Sequence, residues 1–326
     1  MTTTEMERLV TIIHDLRRRG ITIIYISHKL DEIFELCDRV TVMRDGNIIS
    51  TKQIGDLTRS TMIAEMVGRS IENEYPPRAE HVGDTILEVK GICTKKLHDI
   101  SFTAKKGEIL GFVGLVGAGR TEIVRAIFGA DKRQSGEIWM EGRQLKIDSP
   151  IDAKRAGFGF ITEDRKEQGL LLNFSVGQNI TMASMDHFTK NGLFNRVREK
   201  EIIDHQITAL NVKTPNADIN IGHLSGGNQQ KCLIARWMQL NPKVLIMDEP
   251  TRGIDVGAKY EIYVLMKQIA EAGGTIIMIS SEMPEVMNMS NRVIVIRDGR
   301  VAGEFDPSTI TSEHTLSVAL GEETEK

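Results

Sequence analysis

Cysteine is scarce in this chain: Cys37, Cys93 and Cys232 are the only three among 326 residues, and no two form a pair motif. That speaks against a disulfide framework and for reduced thiols in a cytosolic setting. Long apolar runs are missing too. None approaches the roughly 18 residues a membrane span needs, and Met1-Thr2-Thr3-Thr4-Glu5 shows no signal-peptide pattern. Any membrane role is therefore expected to go through a partner subunit. Positive charge is not in excess either: 41 Lys and Arg stand against 45 Asp and Glu, a net charge of −4. This gives no support to nucleic-acid binding driven by phosphate neutralisation. The residues that are present, 40% apolar and 26% charged, make the composition of an ordinary soluble globular protein. The length allows one large or two modest domains.

The densest information lies in Leu224-Ser225-Gly226-Gly227-Asn228-Gln229-Gln230-Lys231 and in Val244 to Asp255 just behind it. Serine is a good helix N-cap, and glycines let a backbone approach an anion closely at a helix's positive end. Leu233, Ile234, Trp237 and Leu240 then recur at helical spacing over Gln229 to Leu240. After Asn241-Pro242, the run Val244-Leu245-Ile246-Met247 reads as a buried parallel strand. It ends in Asp248-Glu249, two carboxylates at the strand edge where α/β sheets place their ligands.

A second constellation lies upstream. The strand Ile109 to Val113 runs into Gly114-Leu115-Val116-Gly117-Ala118-Gly119-Arg120-Thr121 and a helix over Glu122 to Phe128. Strand, glycine-rich turn and helix make the layout of a phosphate-binding loop, whose backbone N–H groups wrap a polyphosphate. Against the pattern G-x4-G-K-[ST], Gly114, Gly119 and Thr121 fit, but Arg120 stands where lysine belongs. Arginine keeps the charge as a bulkier planar fork, and the two are not interchangeable at a tight site. Thr121 still offers a hydroxyl to Mg²⁺. A dinucleotide fingerprint is excluded, because Glu122 occupies the place of a third glycine.

The remainder organises around a repeat. Glu5 to Arg19 reads as an amphipathic helix stopped by Gly20, Ile21 to Ile26 is a β-branched run, and a short helix spans about Asp31 to Leu36. A strand over Arg39 to Arg44 turns at Asp45-Gly46 into Ile48-Ile49. Thr275-Ile276-Ile277-Met278-Ile279-Ser280-Ser281 repeats Thr22-Ile23-Ile24-Tyr25-Ile26-Ser27-His28 at a fixed offset, 281 − 28 = 253. Arg297-Asp298-Gly299 repeats Arg44-Asp45-Gly46 at the same offset, so the chain contains an internal repeat without gaps. Residues 71–85, with Pro76-Pro77 and no periodicity, suit a linker. Ile86 to Val89, Ile100 to Ala104 and Phe158 to Ile161 read as further strands, and residues 173–222 as mostly helical.

These motifs resemble the ATP-binding cassette of membrane transporters. Leu224 to Lys231 is similar to its signature motif, Val244 to Glu249 to its Walker B strand, and Gly253-Ile254-Asp255 to its D-loop. The run Asp-Glu-Pro-Thr-Arg-Gly-Ile-Asp-Val-Gly-Ala-Lys over residues 248–259 resembles the second cassette of monosaccharide importers, in which two cassettes are fused. The likeness extends from the first residues to about residue 320. It implies an α/β P-loop fold with a mixed, mainly parallel sheet, an antiparallel β subdomain and a helical subdomain that touches a membrane subunit. It implies ATP and Mg²⁺ as cofactors, with Thr121 and Asp248 as metal ligands and Glu249 as general base. Gly114, Gly117, Ala118, Gly119, Arg120, Thr121, Glu163, Asp248 and Ser281 would form the nucleotide side of one site. Leu224, Ser225, Gly226, Gly227, Asn228 and Gln229 would face the ATP of an opposing cassette, with Asp255 in the D-loop and His28 matching the first cassette's switch histidine.

Three positions depart from the family pattern besides Arg120. Glu163 stands for the Q-loop glutamine, Ser281 for the switch histidine, and Ile92 to His98 lacks the aromatic that stacks on adenine. The resemblance also implies an organisation: residues 1–70 as the end of a first cassette, 71–85 as linker, 86–318 as the second cassette and 319–326 as a tail. The expected function is the ATP-hydrolysing subunit of a monosaccharide importer, peripheral on the cytoplasmic face of the inner membrane. Its partners would be permease subunits, a sugar-binding protein and a second cassette, with no nucleic acid. The rival readings are a nucleotide-binding but idle partner cassette and a soluble tandem-cassette protein acting on ribosomes or DNA.

Overall fold

A computed structural model of the chain describes residues 3–27, 30–44, 46–67, 74–190 and 193–321. His28, Asp45, residues 71–73 of the expected linker and the tail beyond residue 321 lie outside the described residues. The chain divides into two compact units, Met1–Glu74 with Asp255–Gly257, and Tyr75–Ile254 with Ala258–Lys326.

The first unit contains α1 (Thr3–Arg18), α2 (Leu30–Leu36), an antiparallel hairpin of β1 (Arg39–Arg44) and β2 (Asn47–Gln53), and α3 (Arg59–Val67). Its small core gathers Ile33, Leu36, Val42, Met62 and Ile63.

The second unit opens with β3 (Thr85–Cys93), β4 (Ile100–Lys105), β5 (Ile109–Val113), α4 (Arg120–Ile127), β6 (Ser135–Met140), β7 (Arg143–Leu145), α5 (Pro150–Ala156) and β8 (Phe158–Ile161). A helical stretch comes next, with α6 (Val176–Thr181), a two-residue hairpin of β9 (Thr189–Lys190) and β10 (Leu193–Phe194), α7 (Arg196–Ala209) and α8 (Gly226–Met238). The chain closes with β11 (Val244–Asp248), α9 (Val256–Glu271), β12 (Thr275–Ile279), α10 (Met283–Met289), β13 (Arg292–Arg297), β14 (Arg300–Phe305) and α11 (Ser312–Leu320).

The main sheet has the order β14-β13-β5-β12-β11-β8, parallel throughout except for the antiparallel β13–β14 pair. A four-stranded antiparallel sheet, β4-β3-β6-β7, stands beside it. The expected α/β architecture is the one the chain adopts. Every residue of β5, β11 and β12 is buried, as parallel strands covered on both faces require. Alternation along the strand splits them between two cores. Leu245 and Met247 pack with Leu233 and Ile234 of α8 and Met266 of α9, whereas Val244 and Ile246 pack with Ile123, Val124 and Ile127 of α4. Each such side chain contributes about 1.5–3 kcal/mol by leaving water.

The repeat holds in the structure as well. Adding 253 to the bounds of α1, α2, β1 and α3 gives the bounds of α9, α10, β13 and α11. The irregularity in the hairpin register falls between Val42 and Met43 in one copy and between Val295 and Ile296 in the other. One element breaks the correspondence. Residues 22–26, the counterpart of β12, form no strand. β12 is flanked by β5 and β11, and among the described residues the first unit offers no such neighbours. Without a ladder the apolar run stays open, so Ile24 and Ile26 are 89% and 92% exposed where Ile277 and Ile279 are buried.

Candidate functional site

The strands β5, β12 and β11 lie side by side and parallel, which brings their C-terminal ends to one edge of the sheet. The glycine-rich loop leaves β5, Ser280-Ser281 follow β12, and Asp248-Glu249 end β11. Nonadjacent segments of sequence meet here because the chain crosses over between strands.

The loop fits only glycine at its start. A Cβ on Gly114 would lie 2.3 Å from the Ile296 carbonyl oxygen. Gly119, at φ +108°, turns the chain through the left-handed region into the first turn of α4. Gly117 has a positive φ as well, and the Gly299 N–H donates to the Ala118 carbonyl at 2.9 Å, tying the loop to the turn after β13. The N-terminus of α4 thus faces the loop with its unpaired N–H groups, the arrangement that receives a phosphate.

Thr121 and Asp248, 127 residues apart in sequence, are joined: the Thr121 hydroxyl donates to Asp248 Oδ2 at 2.8 Å. Asp248 is 1% exposed and its other oxygen, Oδ1, has no hydrogen-bond partner. Burial pushes its carboxyl up to about 7, against the Thr121 bond, and the charges of Glu249 and Glu163 add to the rise. A buried, unpartnered carboxylate oxygen beside a hydroxyl suits a hard cation such as Mg²⁺. That ion is commonly held by one or two protein oxygens, with the rest of its shell from water and substrate phosphate.

Glu249 sits at φ +49°, uncommon for a residue with a side chain, and its N–H donates to the Ile279 carbonyl at 2.8 Å. Its carboxylate accepts from the Ser281 hydroxyl at 3.1 Å. Burial raises its pKa while the Ser281 bond lowers it. A half-buried carboxylate with raised basicity suits proton abstraction from water. Arg120 donates through Nη1 to the Ser280 carbonyl at 2.8 Å, so the guanidinium is engaged with the loop after β12.

Glu163 forms an ion pair with Arg252, and Asp164 caps a π-helical turn over Arg165–Gly169. Arg165 belongs to the charged stretch Glu163 to Glu167, which by sequence reads either as a solvated loop or as part of the site. It donates to the Arg252 and Gly253 carbonyls at 2.5 and 2.9 Å, and more distantly, at 3.4 Å, to Gln229. The segment after β8, the segment after β11 and α8 are thereby linked. Asp255 is exposed, one residue before α9.

The serine-glycine turn departs from expectation in detail. Ser225 holds the N-cap position of α8, but its side chain makes no capping bond and instead accepts from Asn228 Nδ2 at 3.0 Å. The helix also begins at Gly226, three residues earlier than the apolar spacing indicates. Ser225 is exposed, and the first-turn N–H groups of α8 are those a helix leaves without intrahelical partners. Among the described residues, no hydrogen bond joins Leu224, Ser225, Gly226, Gly227, Asn228 or Gln229 to the glycine-rich loop of Gly114 to Thr121.

Beside Thr121 opens a cavity of about 750 Å³ whose lining includes Lys95, Lys96, Arg125, Lys132 and Arg133 and no aromatic residue. Two of these cations are already matched, Lys96 with Glu122 and Arg125 with Asp131. The carboxylate Glu285, which belongs to no motif read from the sequence, lies just behind the site. Its recurrence at Glu32 in the repeat, 285 − 253 = 32, is the signal that marks it.

Residues 97–252 match the ABC transporter family. The ribose import ATP-binding protein RbsA of Bacillus subtilis is 46% identical over 322 residues, covering 98% of this chain and 65% of that protein. The xylose import ATP-binding protein XylG of Photobacterium profundum is likewise 46% identical, over 99% of this chain and 65% of its own length. The chain therefore spans about two-thirds of the length of the relatives it matches. Among solved structures, cbiO1 of Clostridium perfringens, part of the ABC transporter complex cbiONQ, superposes with a TM-score of 0.60. Its sequence is 25% identical, over 72% of this chain and 93% of that one.

Proposed function

From the premise that the chain carries an ATP-binding cassette of the ABC transporter family, we propose that it is the ATP-hydrolysing subunit of a monosaccharide importer. The observation that carries the reading is the meeting of Thr121, Asp248, Glu249 and Ser281 at one edge of the sheet. The loop of Gly114 to Thr121 binds the phosphates. Thr121 and Asp248 hold Mg²⁺, which when bound supplies charge neutralisation to the phosphates. Glu249 takes a proton from the attacking water. With Arg120 committed to the Ser280 carbonyl and serine at position 281, this is the weaker of two sites.

The residues Leu224, Ser225, Gly226, Gly227, Asn228 and Gln229 serve the ATP of an opposing cassette, as does His28. Asp255 belongs to the D-loop. The repeat supports assigning residues 1–70 to the end of a first cassette, 71–85 to a linker, 86–318 to the second cassette and 319–326 to a tail. Among the described residues no helix is long and apolar enough to cross a membrane. Attachment to the cytoplasmic face of the inner membrane is accordingly assigned to permease subunits, with a sugar-binding protein beyond them.

The test is Mg-ATP turnover by the purified chain, alone and in membranes with its partner subunits and sugar-loaded binding protein. Turnover should be very slow alone, where Glu249→Gln abolishes it, and should rise with the partners, where Glu249→Gln lowers it only in part. Robust turnover by the chain alone that Glu249→Gln abolishes refutes the weak-site assignment. Indifference to Glu249→Gln in the assembled system favours an idle cassette, to which the Arg120–Ser280 bond also points.

A further inference from the structure

Glu285 is a buried carboxyl, 1% exposed, on α10. Hydroxyls occupy both of its oxygens. Thr251 Oγ1 donates to Oε1 at 2.7 Å, and Ser280 Oγ donates to Oε2. The two donors belong to different segments. Thr251 lies two residues past Glu249 on the chain leaving β11, and Ser280 precedes Ser281 on the chain leaving β12. Ser280 is also where Arg120 attaches through the carbonyl, and its Oγ accepts from the Glu282 N–H at 3.0 Å. Burying a carboxyl costs free energy that an apolar side chain of similar size does not incur, so packing alone does not account for it.

The repeat supplies a second, independent observation. The counterparts of Glu285 and Ser280 are Glu32 (285 − 253) and Ser27 (280 − 253). Glu32 is 6% exposed, and Ser27 Oγ donates to Glu32 Oε2 at 2.8 Å, the same bond between the same pair of positions. In this copy the run before Ser27 has not formed its strand. The bond survives without the sheet, so it is not a by-product of strand packing.

We propose that Glu285 is a positioning residue, whose carboxyl clamps the segment carrying Glu249 to the segment carrying Ser281 so that the two keep one register. Glu32 with Ser27 is the same clamp in the first copy. The proposal deepens the ATPase reading of the site and rests on it. Glu285 touches no reacting group and acts through Thr251 and Ser280. Loss of the clamp lets the two segments move apart, and a displacement near 1 Å at a reacting centre costs on the order of 10²-fold in rate. Nucleotide affinity, which comes from the glycine-rich loop, should hardly change.

Hydrogen exchange on the nucleotide-free chain reads the clamp without any turnover. In Glu285→Ala, residues 251–254 and 280–283 should exchange faster together, by roughly tenfold, while Val244–Asp248 and Ile109–Val113 stay as they are. Glu285→Gln, which can still bond both hydroxyls, should restore most of the protection. Glu32→Ala should leave the second unit unchanged. In the chain alone, whose slow turnover comes from its own site, Glu285→Ala should lower ATP turnover about 10–100-fold with the Kd for Mg-ATP within about twofold. Glu285→Ala combined with Thr251→Val should be no slower than Glu285→Ala, because both remove one link. Unchanged exchange in Glu285→Ala, or rate losses that multiply in the double variant, overturn the clamp. If the exchange pattern appears but wild-type turnover does not depend on Glu249, the clamp stands and the ATPase reading falls.

Discussion

Asp248→Asn should make the nucleotide-free protein more stable at alkaline pH, and the structure sets the size of the gain. Asp248 is 1% exposed with one oxygen unpartnered, and burial lifts its carboxyl from 3.8 to about 7. Between those values the folded chain holds a proton that the unfolded chain has released. Stability from this group is therefore fully present below pH 4 and is lost as the pH rises through 7. A shift of about three units corresponds to roughly 4 kcal/mol at 1.36 kcal/mol per unit, an upper figure for a buried group. Asparagine is neutral at every pH, close in shape, and can still accept the Thr121 hydroxyl. Urea unfolding in EDTA, followed by tryptophan fluorescence, gives the measurement. The chain's two tryptophans, Trp139 and Trp237, both belong to the second unit. At pH 8 Asp248→Asn should exceed wild type by about 2–4 kcal/mol, and at pH 4.5 the gap should shrink to about 1 kcal/mol or less. Burial also pushes Glu285 up to about 7 and gives a slope of the same sign, but it is common to both proteins and cancels in the difference. A difference independent of pH, or a variant less stable at pH 8, refutes the reasoning.

Three further outcomes are expected. In the assembled transporter Ser225→Arg, which adds bulk and a charge at the exposed N-terminus of α8, should cost about 10²–10³-fold in ATP turnover, and Arg120→Ala much less. The reverse order places the main catalytic site on this chain's own loop. Ile24→Lys and Ile26→Lys, at side chains 89% and 92% exposed, should change unfolding free energy by no more than about 0.5 kcal/mol while reducing self-association measured by light scattering. Hydrogen exchange should open residues 3–67 well before Ile109–Val113 and Val244–Asp248, because the first unit has a two-stranded sheet and the second a six-stranded one. Uniform protection along the chain contradicts the view of residues 1–70 as part of a larger cassette.

The sequence by itself determined the elements whose information is local. Apolar runs of four or five residues marked β5, β8 and β11, glycines at Gly114, Gly117 and Gly119 marked the turn into α4, and the offset of 253 marked two copies of one substructure. These signals sit in consecutive residues, where periodicity and backbone freedom act directly. Tertiary structure decided everything that depends on which segments become neighbours. The run 22–26 and β12 have nearly the same text, yet only β12 is a strand, because a strand is stabilised by ladder partners that only β5 and β11 provide. Ser225 reads as a capping side chain but bonds to Asn228 instead. Arg120 stands at the lysine position of the loop, and its bond to the Ser280 carbonyl joins segments 160 residues apart. Glu285 carries no local signature, since it acts by joining segments far apart in sequence, and the charged stretch of Arg165 does not by itself show which segments it joins. Burial, the largest cause of the raised pKa of Asp248 and of Glu285, exists only once those segments have met.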